Sequence, residues 1–216
     1  MGWPGWKALE EVCEAGRKAG LLVIADGKRG DVPVSARAYG QAMVGSTGSP
    51  FGPVTGLGAD AFTVNPLLGS DAIEPMVDLA GEAGAGIFAL VRTSNPGAAD
   101  IEDLETPEGP VHEHLARLVD SFSDRLASDE DGLSGMGAVV GATAPEHIQR
   151  LRELMPRAVM LIPGVGAQGG RPENLGPAFA PGRAAAIVPA SRSIAGAGDP
   201  AEAAEELRAA VWAVSG

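Results

Sequence analysis

The sequence predicts an α/β protein of the (β/α)8-barrel class, with about six of its eight β/α units present. Short apolar runs rich in Val, Ile and Ala alternate with segments of helical periodicity. The runs lack polar alternation, which is typical of parallel strands covered on both faces. Polar and charged residues follow almost every run. A barrel gathers such strand ends at one rim, whereas an open doubly wound sheet would concentrate them near one switch point.

The predicted elements follow in the repeated order strand, loop, helix. We predict strands at Leu21–Asp26, Ala61–Asn65, Gly86–Thr93, Gly137–Thr143, Val159–Val165 and Ala185–Ser191. We predict amphipathic helices at Trp6–Lys18, Val34–Val44, Ala72–Gly84, His112–Leu126, Pro145–Met155 and Pro200–Val214. A barrel has eight strands and about 250 residues. The simplest interpretation is one domain, residues 1–216, that lacks the first two β/α units.

Composition excludes several classes of function. Acidic residues outnumber basic ones 28 to 16, and no run of Lys or Arg exceeds two residues, which argues against unaided nucleic-acid binding. The single cysteine, Cys13, excludes an internal disulfide, and we expect it to pack on the apolar side of the first helix. No apolar stretch is long enough for a membrane span, and no secretory signal is evident. We therefore expect a cytoplasmic protein.

The densest charged cluster is Asp-Gly-Lys-Arg-Gly-Asp at 26–31, directly after an apolar run. Residues two apart in a strand face the same side, so Asp26 and Lys28 are expected to project together. An ammonium held beside a carboxylate is a positioned proton donor. The alternative is a surface turn with a solvated ion pair, although a charged triplet is unusual at the end of an apolar strand.

Two further segments predict ligand binding. The glycine-rich run 163–170 lets backbone N–H groups approach an anion, and Arg192 follows the next strand, so together they favour a phosphate site. The glycine-rich run alone could be a plain turn. The sequence Thr-Ser-Asn-Pro at 93–96 can read the edge of a polar ring through directional hydrogen bonds, or it can cap a helix.

The histidines do not predict a metal site. His112 and His114 lie among charged residues at the start of a helix, so we expect a solvated helix face, and His147 is also expected to be exposed. The sequence contains no Cys/His ligand spacing, dinucleotide fingerprint or P-loop. We therefore expect no metal and no organic cofactor.

Four motifs together resemble orotidine 5′-phosphate decarboxylase, in particular its actinobacterial-type branch. They are Ile-Ala-Asp-Gly-Lys-Arg-Gly-Asp-Val, Thr-Ser-Asn-Pro, Val-Val-Gly-Ala-Thr-Ala-Pro and Ile-Pro-Gly-Val-Gly-Ala-Gln-Gly-Gly, in the family's order over nearly the whole chain. The resemblance implies a barrel that converts orotidine monophosphate (OMP) to uridine monophosphate (UMP) in de novo pyrimidine synthesis, without a cofactor, as a homodimer. The Asp-x-Lys-x-x-Asp part alone is less specific, since related sugar-phosphate decarboxylases share it.

The resemblance also implies roles for individual residues. Asp26 would stand against the substrate carboxylate, and Lys28 would stabilise and protonate the carbanion at C6. Asp31, with Ser35 in place of the usual Thr, would reach the partner's site in the dimer. The substrate-binding residues would be Thr93, Ser94, Pro163, Gln168, Gly169, Gly170 and Arg192, with Ser94 reading the pyrimidine and the last four residues serving the phosphate.

The chain departs from the family pattern in ways that leave two alternatives open. The family's first strand brings an Asp and its second a Lys, and neither strand is found here; Gly27 replaces the usual Ala, which is expected to loosen the turn. One alternative is a metal-dependent keto-sugar-phosphate decarboxylase or aldolase on the same scaffold. The other is an inactive relic that binds a phosphate ligand or a full-length partner.

Overall fold

The computed structural model describes residues 2–128, 130 and 132–216, and the chain divides after Ala89 into two compact units. Strand and helix alternate along both units. Within the described ranges, no helix has both the length and the apolar character needed to cross a membrane. The predicted single domain stays a prediction.

The first unit contains three parallel strands in the order β1-β4-β5. Its elements are α1 (Gly2–Lys18), β1 (Ile24–Arg29), α2 (Pro33–Met43), a hairpin of β2 (Ser46–Thr47) and β3 (Val54–Thr55), β4 (Ala61–Val64), α3 (Ser70–Ala83) and β5 (Gly86–Arg92), which continues past the division. Every residue of β4 is buried, as expected for a strand covered on both faces.

Local sequence explains where the helices of this unit begin and end. Pro33 occupies the first turn of α2, where its missing N–H costs no helical hydrogen bond. The helix α3 ends at Gly84, whose left-handed φ of 65° suits glycine. Along its length, α3 buries apolar residues at spacings of three and four, among them Ile73, Met76 and Ala80. Cys13 is buried on α1, which confirms its predicted packing role.

The second unit contains three parallel strands in the order β8-β9-β10. Its elements are a hairpin of β6 (Glu105–Thr106) and β7 (Gly109–Pro110), then α4 (Val111–Ser121), β8 (Ser134–Val140), α5 (Ile148–Leu154), β9 (Ala158–Leu161), β10 (Ala186–Ile187), α6 (Arg192–Ala195) and α7 (Pro200–Val214). Asp199 caps α7, because its side chain accepts hydrogen bonds from the N–H groups of Ala201 and Glu202.

Several predicted boundaries were wrong. The first strand begins at Ile24 rather than Leu21 and continues through the charged residues to Arg29. The last strand is only two residues long, and the segment after it continues as loop. The predicted helix 112–126 ends at Ser121 and resumes as a 3-10 turn, and the helix predicted from Pro145 begins as a 3-10 turn. Apolar content marks these regions but does not show where the hydrogen-bonded ladder stops.

A buried arginine connects several segments of the second unit. Arg152 on α5 is 5% exposed and donates to the backbone carbonyls of Met155, Ala158, Ala178 and Ala185 at 2.7–3.0 Å. Burial lowers the pKa of its guanidinium to about 10. The charge is solvated by carbonyl dipoles that come from the end of α5, from β9 and from two 3-10 turns before β10.

Candidate active site

In the first unit, the charged cluster lies on an irregular part of β1. The strand pairs Ala25 with Phe62 and Arg29 with Val64, so three residues of β1, at positions 26–28, stand opposite the single residue Thr63 of β4. Lys28 has a φ of 51°, in the left-handed region that residues other than glycine rarely adopt. Such a bulge redirects side chains at a strand end.

The bulge brings the two predicted catalytic groups together. The Nζ atom of Lys28 lies 2.5 Å from Oδ2 of Asp26, and both side chains are about half exposed. The predicted pairing is therefore present. Its cause differs from the prediction, because the backbone bulge interrupts the regular two-residue alternation on which the prediction relied.

Two residues that sequence analysis missed hold this bulge. The hydroxyl of Thr63 accepts a hydrogen bond from the Lys28 N–H and donates one to Oδ1 of Asp26, each at 2.9 Å. Tyr39 on α2 donates from its hydroxyl to the Thr63 carbonyl at 3.0 Å, and burial raises its pKa. Thr63 is the polar residue within the apolar β4, and that position was the available signal.

Gly27 makes room for Tyr39. A Cβ atom at position 27 would lie 2.5 Å from the Tyr39 hydroxyl oxygen, closer than two such atoms approach. The expectation that Gly27 merely loosens the turn was therefore incomplete. The missing side chain allows an aromatic hydroxyl to pack against the bulge.

Among the described residues, neither Asp31 nor Ser35 makes a hydrogen bond or ion pair with Asp26 or Lys28. Asp31 is exposed and accepts a hydrogen bond from the Val32 N–H at 2.8 Å. Ser35 is exposed in the first turn of α2. The neighbouring apolar side chains of Val32 and Val34 are 57% and 85% exposed, so this edge of the first unit is an apolar surface that carries one carboxylate and one hydroxyl.

In the second unit, the residues predicted to bind a pyrimidine and a phosphate are in direct contact. The Ser94 hydroxyl donates to the Gln168 side-chain oxygen at 2.8 Å. Thr143 donates to the Ser94 carbonyl at 3.0 Å. Gln168 and Arg192 line the same small cleft of about 150 Å³, which also includes Pro163. The second unit therefore brings four of the predicted binding residues together.

The glycine-rich segment forms a compact turn. Gly164, Gly166 and Gly169 have positive φ values, and the N–H groups of Gly169 and Gly170 donate to the carbonyls of Gly166 and Gly164 at 2.9 and 3.0 Å. These two N–H groups already have partners, so in this conformation they shape the loop rather than offer donors to an anion. Arg192 is exposed, and its guanidinium makes no hydrogen bond or ion pair with the described residues, which leaves it as the cleft's cationic donor.

A partly buried charged network supports the Thr93–Ser94 segment. Glu102 accepts hydrogen bonds from both the N–H and the hydroxyl of Thr93, at 2.7–3.2 Å. Arg92 donates to the Thr93 carbonyl and binds both carboxylate oxygens of Asp103 at 2.8 and 2.9 Å. That contact lowers the pKa of Asp103. The capping alternative finds no support, because Asn95 makes no side-chain cap to the turn that follows.

The predicted solvated histidine face was wrong. His112 is 3% exposed and its Nδ1 lies 2.9 Å from the Glu102 carbonyl, His114 is half-buried against the Thr106 hydroxyl, and His147 is half-buried against His112. Burial, followed by the charge of His112, lowers the pKa of His147. The expectation failed because the partners of His112 lie outside its helix: Glu102 and Asp103 are ten and nine residues earlier in the chain, and His147 is 35 residues later.

His112, His147 and Asp103 have ligand atoms within 4.8 Å of one another, the spacing of a metal site. Their hydrogen bonds favour a different interpretation. Both Asp103 oxygens bind the Arg92 guanidinium, and His112 Nδ1 faces a carbonyl and so carries a hydrogen. A cation would have to displace an existing cation, so the cluster is built as a hydrogen-bond network.

Comparison with known families gives a match over most of the chain. The sequence model described as the "Orotidine 5'-phosphate decarboxylase / HUMPS family" matches residues 2–207. A curated orotidine 5′-phosphate decarboxylase from Rhodopirellula baltica is 42% identical over 194 residues, which cover 90% of this chain and 63% of that protein. One from Deinococcus radiodurans is 41% identical over 194 residues, covering 90% of this chain and 66% of that protein.

A solved structure gives the same result for the fold. The OMP decarboxylase of Leishmania donovani superposes with a TM-score of 0.76 at 30% identity, covering 99% of this chain and 76% of that one. The chain thus spans a little under two thirds of the length of the two curated relatives above. The predicted fold class, strands and helices alternating as in a (β/α)8 barrel with about six units, is confirmed.

Proposed function

The chain belongs to the orotidine 5′-phosphate decarboxylase / HUMPS family, and we propose that it decarboxylates OMP to UMP without a cofactor. The observation that carries the proposal is the Lys28 ammonium held 2.5 Å from the Asp26 carboxylate on a bulged strand end. In the same proposal, the enzyme works in the cytoplasm as part of de novo pyrimidine synthesis.

The proposed reaction uses Lys28 as the proton donor. The bond between C6 and the substrate carboxylate breaks, carbon dioxide leaves, and the electron pair stays on C6. The Lys28 ammonium stabilises that developing charge and then transfers a proton to C6, after which solvent reprotonates the amine. A fixed cation accelerates the reaction because the charge it faces is larger in the transition state than in the substrate. Asp26 keeps the ammonium in place and faces the substrate carboxylate.

The residues of the second unit are proposed to bind the substrate. Ser94, with Thr93 beside it, would read the pyrimidine edge, and Gln168 would link that contact to the phosphate through its bond with Ser94. Arg192 would bind the phosphate by two parallel hydrogen bonds. Pro163 would line the cleft, and Gly169 and Gly170 would shape the glycine turn beside it. Binding energy from the phosphate would then offset the cost of placing the substrate carboxylate near Asp26.

We also propose a homodimer in which Asp31 and Ser35 reach the partner's site. The support is their exposure, together with the exposed Val32 and Val34 beside them, since an apolar surface with isolated polar groups is typical of subunit contacts. Sedimentation of the wild type and of Asp31→Ala, with and without UMP, tests the proposal. A wild type that remains monomeric with UMP would contradict it.

The test of the activity is turnover of OMP by the purified chain, followed by the loss of absorbance at the orotate band, in buffer with and without EDTA. We expect turnover that EDTA does not reduce. UMP binding without turnover would favour the inactive relic. Turnover of a keto-sugar phosphate that EDTA abolishes would favour the metal-dependent alternative instead.

A further inference from the structure

We infer that Thr63 is a positioning residue, whose buried hydroxyl sets both the direction of the Asp26 carboxylate and the backbone of Lys28. This inference rests on the proposed function, in which Lys28 delivers the proton. It concerns a residue on β4, the strand next to the one that carries the charged pair.

The first step is the irregular ladder. Between the pairs Ala25–Phe62 and Arg29–Val64, three residues of β1 share one residue of β4. In a regular parallel ladder the Lys28 N–H would find a backbone carbonyl on the neighbouring strand. Here it bonds to the Thr63 side-chain oxygen at 2.9 Å. The side chain therefore replaces a backbone partner at the point where Lys28 adopts a positive φ.

The second step is the direction of the hydroxyl hydrogen. A threonine hydroxyl has a single hydrogen to donate. Because Thr63 Oγ1 accepts from the Lys28 N–H, its hydrogen is directed to Oδ1 of Asp26, at 2.9 Å. The other carboxylate oxygen, Oδ2, accepts a hydrogen bond from the Lys28 ammonium. The hydrogen bonds thus form a closed ring that begins at the backbone of Lys28 and ends at its own side chain.

The third step is to distinguish a role of the Thr63 hydroxyl in positioning the charged pair from a role in packing the strand. Thr63 is fully buried, and Tyr39 fixes its carbonyl, so the hydroxyl has little freedom to move. Lys28 and Asp26 are about half exposed, so water can satisfy their polar groups if the hydroxyl is lost. Replacing the hydroxyl with a methyl group of similar shape should leave the strand folded while it releases the charged pair.

The test compares Thr63→Val, which keeps the shape and loses the hydroxyl, with Thr63→Ser, which keeps the hydroxyl. Thr55→Val, on the exposed strand β3, is the matched control. We expect Thr63→Val to lower kcat for OMP by about 10- to 100-fold, the effect of misplacing a reactive group. We expect little change in UMP affinity, and we expect Thr63→Ser to recover most of kcat.

A second measurement does not depend on turnover. Hydrogen exchange of the Lys28 amide, followed by NMR, should be faster in Thr63→Val than in the wild type and slow again in Thr63→Ser. If the wild type fails to turn over OMP, the proposed function fails, while the exchange pattern still supports or overturns the placement of Lys28 by Thr63. Normal kcat in Thr63→Val, or exchange that ignores the hydroxyl, would overturn the inference.

Discussion

Asp26 and Lys28, in the first unit, lie inside a strand whose ladder is interrupted, whereas the second unit places Ser94 and Gln168 in loops after their strands and Arg192 at the start of α6. The charged pair is held by one buried hydroxyl and a residue with positive φ. Gln168 follows a glycine turn, and the segment of Ser94 is held by the partly buried ion pair of Arg92 with Asp103. Backbone strain thus accompanies the proposed proton donor, and a pre-formed polar scaffold accompanies the proposed binding residues.

The largest expected effect comes from removing the proposed proton donor. Lys28→Ala should lower kcat for OMP by about 10³-fold or more, because general-acid groups typically contribute 10²- to 10⁴-fold. UMP binding should remain measurable, since the proposed phosphate and pyrimidine contacts lie in the second unit. Lys18→Ala, an exposed ion-paired lysine of α1, serves as the control. A near-normal kcat in Lys28→Ala would show that Lys28 is not the proton donor. The proposed division between a catalytic first unit and a substrate-binding second unit would then fail.

A smaller effect is expected for the proposed phosphate contact. Arg192→Ala should weaken UMP binding by roughly 10- to 100-fold, because a charge-assisted hydrogen bond contributes about 1.5–3 kcal/mol. The decrease should appear mainly in KM for OMP and in the UMP dissociation constant measured by calorimetry. Arg171→Ala is the control in the same unit, because Arg171 is an exposed arginine whose contact with Glu173 is 3.6 Å long. Unchanged UMP affinity in Arg192→Ala would argue against this phosphate site.

The smallest effect is expected for Gly27, the glycine within the bulge of β1. Gly27→Ala should lower kcat by a few fold, because the new methyl group meets the Tyr39 hydroxyl. Adding Tyr39→Phe should recover part of that loss, with a coupling energy of about 0.5–3 kcal/mol in a double-mutant cycle. Strictly additive effects on kcat and on thermal stability would show that Gly27 and Tyr39 act independently.

The sequence predicted the regular parts of the fold well. Strands β4 and β5 agree within one residue, because each is a single apolar run with clear breaks. The helix α7 agrees at both ends, because Asp199 and Pro200 form a recognisable start and apolar periodicity continues to Val214. In such segments the local pattern and the tertiary structure require the same residues.

The supporting residues could not be predicted in the same way. Thr63 binds Asp26, which is 37 positions away in the sequence. Arg92 binds Asp103, which is 11 positions away, and the segment between them has no periodic pattern. The burial of His112 likewise depends on Glu102 and Asp103. Motifs reveal residues whose type suggests chemistry, whereas their supports are ordinary residue types that only strand register and loop geometry bring near them.

The arginine buried in the second unit has a consequence for how substitutions there would be tolerated. Arg152 reaches carbonyls on segments up to 33 positions away, and the last of these, Ala185, directly precedes β10 and the approach to Arg192. A lysine offers one point charge where the planar guanidinium offers a rigid fork. Even a like-charged replacement at position 152 would leave some of these carbonyls unsatisfied, so the path of the chain toward Arg192 depends in part on a buried side chain of α5.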